Sequence, residues 1–184
     1  MIEIRPTMLE GVLEIMPTRL SDARGFFSET YNAARLVQSG VDLTFVQDNH
    51  SLSARRGVLR GLHYQLPPRA QDKLVRVIRG AIFDVAVDIR RSSPTFAQWV
   101  GLELSAEKWN QLLVPKGFAH GFVTLTENTE VVYKVTDYYS PEHDRSIRYD
   151  DPNIAIKWPT AFVDLLLSEK DRTAAGLDEI EVFA

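Results

Sequence analysis

Short runs in which apolar and polar residues alternate recur along this chain, and each predicts a strand with one face turned to a core. Residues 81–89 are the clearest: Ala81, Phe83, Val85, Val87 and Ile89 fall on one face, and Asp84 and Asp88 on the other with Ile82 and Ala86. Val100, Leu102 and Leu104 alternate against Gly101 and Glu103, and residues 121–126 and 129–138 read as a further strand pair. Turn signals punctuate these runs at Arg79-Gly80, Ser93-Pro94, Pro115-Lys116-Gly117, Glu127-Asn128 and Ser140-Pro141. Helices are few. Asn32 to Gln38 predicts one, ended by Gly40, and Ser168 to Ala175 opens with Ser168 and Asp171 at capping-box spacing. Many short strands with little helix predict an all-β sandwich or barrel. The acidic tail after Leu177 is expected to be loosely held.

Composition narrows the chemistry. A chain of 184 residues fits a single domain over 1–184. With no cysteine, disulfides, thiolate nucleophiles and Cys-ligated metals are excluded. The opening Met1-Ile2-Glu3-Ile4-Arg5-Pro6 lacks a signal-peptide core, and no apolar run approaches membrane-spanning length, so a soluble cytoplasmic protein is expected. The net charge of −4 hides an asymmetry. Between Ala54 and Gly80 lie seven basic residues and one acid, Asp72, a local +6 in an otherwise acidic chain. That pattern is a poor nucleic-acid surface, which needs broad positive potential. It suits a small anion, or simply a solvated, salt-bridged strand edge.

Two histidines sit beside glycines that allow close approach: His63 in Arg60-Gly61-Leu62-His63-Tyr64-Gln65, and His120 in Pro115-Lys116-Gly117-Phe118-Ala119-His120-Gly121. Each is as compatible with a strand histidine of structural role as with a site. Gly57 followed by His63, with the later Pro-x-Gly-x-x-His, resembles the two halves of the cupin signature. Metal-binding cupins carry further ligands where this chain has Gln65 and Arg69. Two imidazoles make a poor metal cage, so a cupin barrel that has lost its metal is expected.

The resemblance reaches family level. Arg24-Gly25-Phe26-Phe27, Arg56 to Gln65, Gln71-Asp72-Lys73-Leu74-Val75, Asp84 to Arg90, Ser93-Pro94-Thr95-Phe96, Pro115 to Phe122, Tyr133 to Pro141 and Leu167 to Asp171 are together similar to the dTDP-4-dehydrorhamnose 3,5-epimerases. The resemblance implies a cupin-type double-stranded β-helix (jelly-roll) barrel with a few short helices. It implies a cofactor-free isomerase inverting C3 and C5 of a dTDP-4-keto-6-deoxyhexose, in deoxysugar biosynthesis. Such a reaction needs a base for the proton beside the ketone, a cation for the enolate and an acid on the opposite face. His63 suits the base by its ordinary pKa, Lys73 the enolate cation, and Tyr133, on one strand face with Val131 and Val135, the acid. Asp171 as the orienting partner of His63 is implied by the resemblance alone.

By the same resemblance Arg24, Glu29, Gln47, Asn49, Arg60, Lys73, His120, Tyr139, Asp144 and Lys170 contact substrate, Tyr139 by stacking on thymine and Arg60 by pairing with the diphosphate. Arg60 and His63 have opposite strand parity, so either Gly61 marks a bulge or Arg60 serves a site shared with a second subunit. The family implies a homodimer with exchanged N-terminal strands, without nucleic-acid or membrane partners. Departures from the family pattern fall at Ala97, Trp109, Tyr149 and the 142–147 segment, where Asp144 is one methylene shorter than the expected carboxylate. The alternatives are epimerisation at one carbon, a ketoisomerase, and a metal-dependent cupin oxygenase.

Overall fold

Alternation at period two places every second side chain of a strand on the same face, and here both faces of the central strands find cover. The computed structural model describes residues 2–159 and 164–184. Its strands are β1 (Ile2–Pro6), β2 (Leu13–Pro17), β3 (Arg19–Asp22), β4 (Gly25–Ser28), β5 (Gln47–Ser53), β6 (Leu59–Gln65), β7 (Lys73–Arg79), β8 (Ala81–Asp88), β9 (Trp99–Ser105), β10 (Gln111–Val114), β11 (Phe118–Thr124), β12 (Thr129–Val135) and β13 (Asp144–Ser146). Two short helices, α1 (Ala33–Gln38) and α2 (Glu169–Arg172), complete the regular structure with one 3-10 turn at Leu177–Glu179. The strands form two antiparallel sheets, in the orders β1-β2-β10-β7-β12-β5 and β13-β6-β11-β8-β9, with β3-β4 as a separate ribbon. This is the expected cupin-like jelly roll.

The barrel interior is apolar where the sheets meet. Val75, Val77, Leu112, Val114 and Val131 of the first sheet pack against Ile82, Ala86, Leu104, Phe118 and Phe122 of the second. The wholly apolar face of β8 does not point there. Val85, Val87 and Ile89 pack outside the second sheet, beneath Ile154 and Leu177 of the C-terminal segment. The mixed face, Ile82, Asp84, Ala86 and Asp88, is the one turned inward. Asp88 is tolerated because Arg90, Ser93 and Thr95 surround it. Burial works to raise its pKa, but those bonds outweigh burial and hold it at about 2.

Three expectations change. Segments 121–126 and 129–138 are both strands, but β11 and β12 belong to different sheets, because the turn at Glu127-Asn128 carries the chain across the barrel. The tail after Leu177 is tied down: Leu177 is buried, Phe183 bridges Arg90, and Tyr64 donates to the Glu181 carbonyl at 2.5 Å. β12 ends at Val135 rather than at residue 138, so Tyr139 lies on the loop beyond it. Both helices begin where expected, capped by Asn32 and Ser168.

The parity conflict is settled by a bulge. His120 pairs with His63 and Phe122 with Arg60, so β6 has one residue more than β11 between the two pairs. Gly61 carries the irregularity at φ +126°. A Cβ there would stand 2.5 Å from the Gly121 Cα and 2.8 Å from the His120 carbonyl oxygen, so no other residue fits without moving β11. Arg60 and His63 consequently line the same cavity.

Candidate active site

The cavity opens between the sheets and holds about 550 Å³. The second sheet contributes Arg60 and His63 from β6 and His120 from β11, and the first contributes Lys73 from β7 and Tyr133 from β12. The C-terminal segment closes one side with Leu167, Ser168 and Asp171. An adjoining lobe of about 190 Å³ shares His63, Lys73 and Tyr133 and adds Gln47, Asn49, Tyr139, Asp144 and Lys170.

His63 and Asp171, 108 residues apart in sequence, meet at 2.5 Å between Nε2 and Oδ1. The cap geometry of α2 aims the carboxylate. Ser168 Oγ accepts from the Asp171 backbone N–H at 3.1 Å and donates to Asp171 Oδ2 at 2.8 Å. Burial works to raise the Asp171 pKa, but hydrogen bonds from His63, Ser168 and the Gly61 backbone hold it below the usual carboxylate range. An ionised Asp171 accepts a hydrogen bond from Nε2–H of a neutral His63, which leaves Nδ1 as the basic atom of the ring. Burial lowers the His63 pKa despite the attraction of Asp171, and Lys73 and Lys170 lower it further. His63 is therefore neutral, and able to accept a proton, near pH 7.

Lys73 is buried, and its Nζ donates to the His63 carbonyl at 3.2 Å. Burial brings its pKa down to about 8, against the support of Asp144 and Asp84. Burial raises the Tyr133 pKa, partly offset by Arg60, so the phenol keeps its proton at neutral pH. A neutral imidazole, an ammonium and a protonated phenol thus share one cavity. The arrangement can remove a proton, hold an oxyanion and return a proton from the opposite sheet.

In the smaller lobe, Gln47 Oε1 accepts from the Tyr139 backbone N–H at 3.1 Å and Gln47 Nε2 donates to Asn49 Oδ1 at 2.9 Å. Asp144 pairs with Lys170 and accepts from the Tyr139 hydroxyl at 3.3 Å. The shorter carboxylate at 144 still reaches both. Gln65, at the position of a cupin metal ligand, donates to the Arg69 and Tyr138 carbonyls and accepts from the Ser140 N–H at 2.8 Å. It anchors the loop that carries Tyr139. His120 Nε2 is bonded to Asp84 Oδ1 at 2.7 Å.

Two expected contacts are elsewhere. Arg24 lies at the tip of the β3-β4 ribbon, paired with Asp22 and 91% exposed, and Glu29 pairs with Arg35 at 3.0 Å. Neither lines the cavity of its own chain. The ribbon is a lone two-stranded element outside both sheets, which explains the displacement. Trp109, a departure from the family pattern, props the ribbon: it packs edge-on against Phe26 and donates to Ser28 Oγ at 2.8 Å. The other two histidines lie outside the cavity, His50 bonded to Glu130 at 2.9 Å and His143 to Ser140 at 2.8 Å.

Ser51 lines the cavity and Asp84 bonds to His120 there, and sequence reasoning passed over both. The signal for Asp84 was present: a carboxylate sharing a strand face with Ile82 and Ala86. Ser51 follows Gln47 and Asn49 at period two on β5, and its buried hydroxyl has no partner among the described residues.

An imidazole on one sheet facing a phenol and an ammonium on the other, inside a jelly roll, is a set of groups that can move protons as an isomerase does. Known proteins narrow this. The family model for dTDP-4-dehydrorhamnose 3,5-epimerase matches residues 6–179. The chain is 53% identical over 176 residues to the dTDP-4-dehydrorhamnose 3,5-epimerase of Pseudomonas aeruginosa, covering 95% of this chain and 96% of that one. It is 50% identical over 178 residues to that of Methanothermobacter thermautotrophicus, covering 96% and 95%. A crystal structure of the Legionella pneumophila epimerase in complex with dTDP-4-keto-L-rhamnose superposes with a TM-score of 0.93 at 48% identity, covering 98% of this chain and 95% of that chain. The chain belongs to the dTDP-4-dehydrorhamnose 3,5-epimerase family.

The pKa directions define a pH window. Activity should rise as His63 loses its proton, with a midpoint below the ordinary histidine value of 6.5. It should fall as Lys73 loses its own near pH 8. A kcat/KM profile should be bell-shaped with those limbs; a rate that is flat from pH 7 to pH 10 would remove Lys73 from the chemistry.

Proposed function

We propose that this protein inverts C3 and C5 of dTDP-4-dehydro-6-deoxy-D-glucose, giving dTDP-4-dehydro-L-rhamnose. The observation that carries the reading is the placement of His63 and Tyr133 on opposite sheets of one cavity, with Lys73 on the same sheet as Tyr133. The ketone at C4 acidifies the hydrogens on both neighbouring carbons. His63 Nδ1 takes one of these protons, and the electron pair of the broken C–H bond moves onto the ketone oxygen. Lys73 donates to that oxygen; a fixed donor at a developing oxyanion is worth roughly 3–4 kcal/mol. Tyr133 then returns a proton to the opposite face, and solvent restores both groups. A positioned base contributes about 10²–10⁴-fold to such a step. Arg60 faces the cavity with a fork suited to the diphosphate, and Tyr139 presents a ring for the thymine.

The exposed ribbon supports a homodimer in this reading. Leu20, Phe26 and Phe27 are 62%, 55% and 70% exposed on β3-β4, a cluster that a second subunit would cover. β1 and β2 belong to the first sheet of their own chain, whereas β3-β4 joins neither sheet, so β3-β4 is the N-terminal element best placed for exchange in this reading. Arg24 and Glu29 would then complete the nucleotide end of the partner's cavity. The chain acts as one unit, because both sheets and the C-terminal segment supply residues to a single site. Among the described residues no helix is long and apolar enough to cross a membrane.

Incubation with dTDP-4-keto-6-deoxyglucose in deuterated water should place deuterium at both C3 and C5 and yield the L-rhamno product. Label at one carbon alone would reduce the reaction to a single epimerisation, and no label would remove catalysis. For the shared site, Arg24→Ala and His63→Asn chains, each inactive alone, should regain activity when mixed and allowed to exchange subunits. Failure to regain it, with mixed dimers present, would confine each site to one chain.

A further inference from the structure

Asp84 has no part in the reaction as described, yet it is the most deeply placed charge near it. It sits on the inward face of β8 and is fully buried. One oxygen, Oδ1, accepts from His120 Nε2 at 2.7 Å. The other, Oδ2, is buried and has no hydrogen-bond partner among the described residues. A buried carboxylate with a free oxygen is costly unless a cation lies close enough to compensate. No ion pair joins Asp84 to a lysine among the described residues, but Lys73, on the facing sheet, is a cation whose charge Asp84 supports. It is itself buried, and among the described residues its one hydrogen bond, to the His63 carbonyl, leaves two of its three N–H donors uncommitted. The charged groups acting on Lys73 are Asp84 of β8, Asp144 of β13 and Lys170 of α2. His63 of β6 and Tyr133 of β12 line the cavity beside it. Asp144 is already paired with Lys170, so Asp84 is the carboxylate not neutralised by another lysine.

The arrangement around His120 repeats the one around His63. The two histidines stand opposite each other on paired strands, and each turns Nε2 to a buried aspartate, which leaves Nδ1 to the cavity. Resting on the epimerase reading above, we propose that Asp84 is a positioning residue with two roles. It fixes His120 with Nε2–H turned inward and Nδ1 turned to the sugar, and it supplies the countercharge that keeps Lys73 an ammonium ion when the enolate forms. Asp84 touches no substrate atom itself.

The test is Asp84→Asn, which keeps the shape and removes the charge, beside Asp84→Glu, which keeps the charge. Without the carboxylate the ammonium of Lys73 is less favoured, so its proton leaves at lower pH. In Asp84→Asn the alkaline limb of kcat/KM should move down from near pH 8 by on the order of one pH unit, and the rate at pH 7.5 should fall about threefold or more. Affinity for dTDP, read by calorimetry, should change less than about twofold, because the nucleotide lies away from Asp84. Asp84→Glu should return the limb toward the wild-type position. An unmoved limb in Asp84→Asn, or the same limb in both variants, would overturn the proposal, while wild-type labelling of the substrate carbons would still stand for the epimerase itself. Should Asp84→Asn not fold, nitrogen-15 histidine spectra of the wild-type protein decide whether Asp84 orients His120. The ring should carry a proton on Nε2, and a ring protonated only at Nδ1 would contradict that role.

Discussion

The site depends on one contact, the hydrogen bond between His63 and Asp171. It joins the second sheet to the C-terminal segment across 108 residues of sequence. Several local features exist to make it possible. The bulge at Gly61 brings Arg60 and His63 to one cavity, and the Gly61 backbone helps to hold the Asp171 carboxylate. Ser168 caps α2 and grips the same carboxylate from the other side. The C-terminal segment is kept in place by Leu177, by Phe183 against Arg90 and by the Tyr64 hydroxyl on Glu181. The apolar outer face of β8 therefore supports the candidate site, because it is what the C-terminal segment packs on.

The second constraint is electrostatic. Burying a lysine carries a desolvation cost that favours its neutral form, and a neutral amine cannot stabilise an enolate as an ammonium ion does. Asp144 and Asp84 offset that cost from two sides, and Lys170 works against them. The same burial lowers His63 and raises Tyr133, pushing each toward its uncharged form. Burial thus sets the imidazole and the phenol in usable protonation states, while Asp144 and Asp84 hold the charge on Lys73 against it.

Much of this was legible in the sequence. Alternation located β8, β9, β11 and β12, and the caps at Asn32 and Ser168 located both helices, because these signals are local. The conflict of parity between Arg60 and His63 pointed to the bulge at Gly61. What was not legible is non-local. No spacing rule pairs residue 63 with residue 171, and only the family resemblance supplied it. Alternation also does not say which face of a strand looks inward: the apolar face of β8 went outward and its aspartates inward. Asp84 was overlooked for that reason. Composition misled at the tail, whose acidic residues suggested looseness while Leu177 and Phe183 hold it down. Arg24 and Glu29 fall outside their own chain's cavity, since β3-β4 joins neither sheet and no local signal in the sequence records that.

The central claim is that His63, held by Asp171, removes the protons beside the ketone. Solvent exchange at C3 and C5 in deuterated water, followed by proton NMR with His63→Asn protein, tests it most directly. The account predicts that exchange at both carbons disappears while dTDP still binds. Exchange persisting near the wild-type rate at either carbon would show that another group is the base.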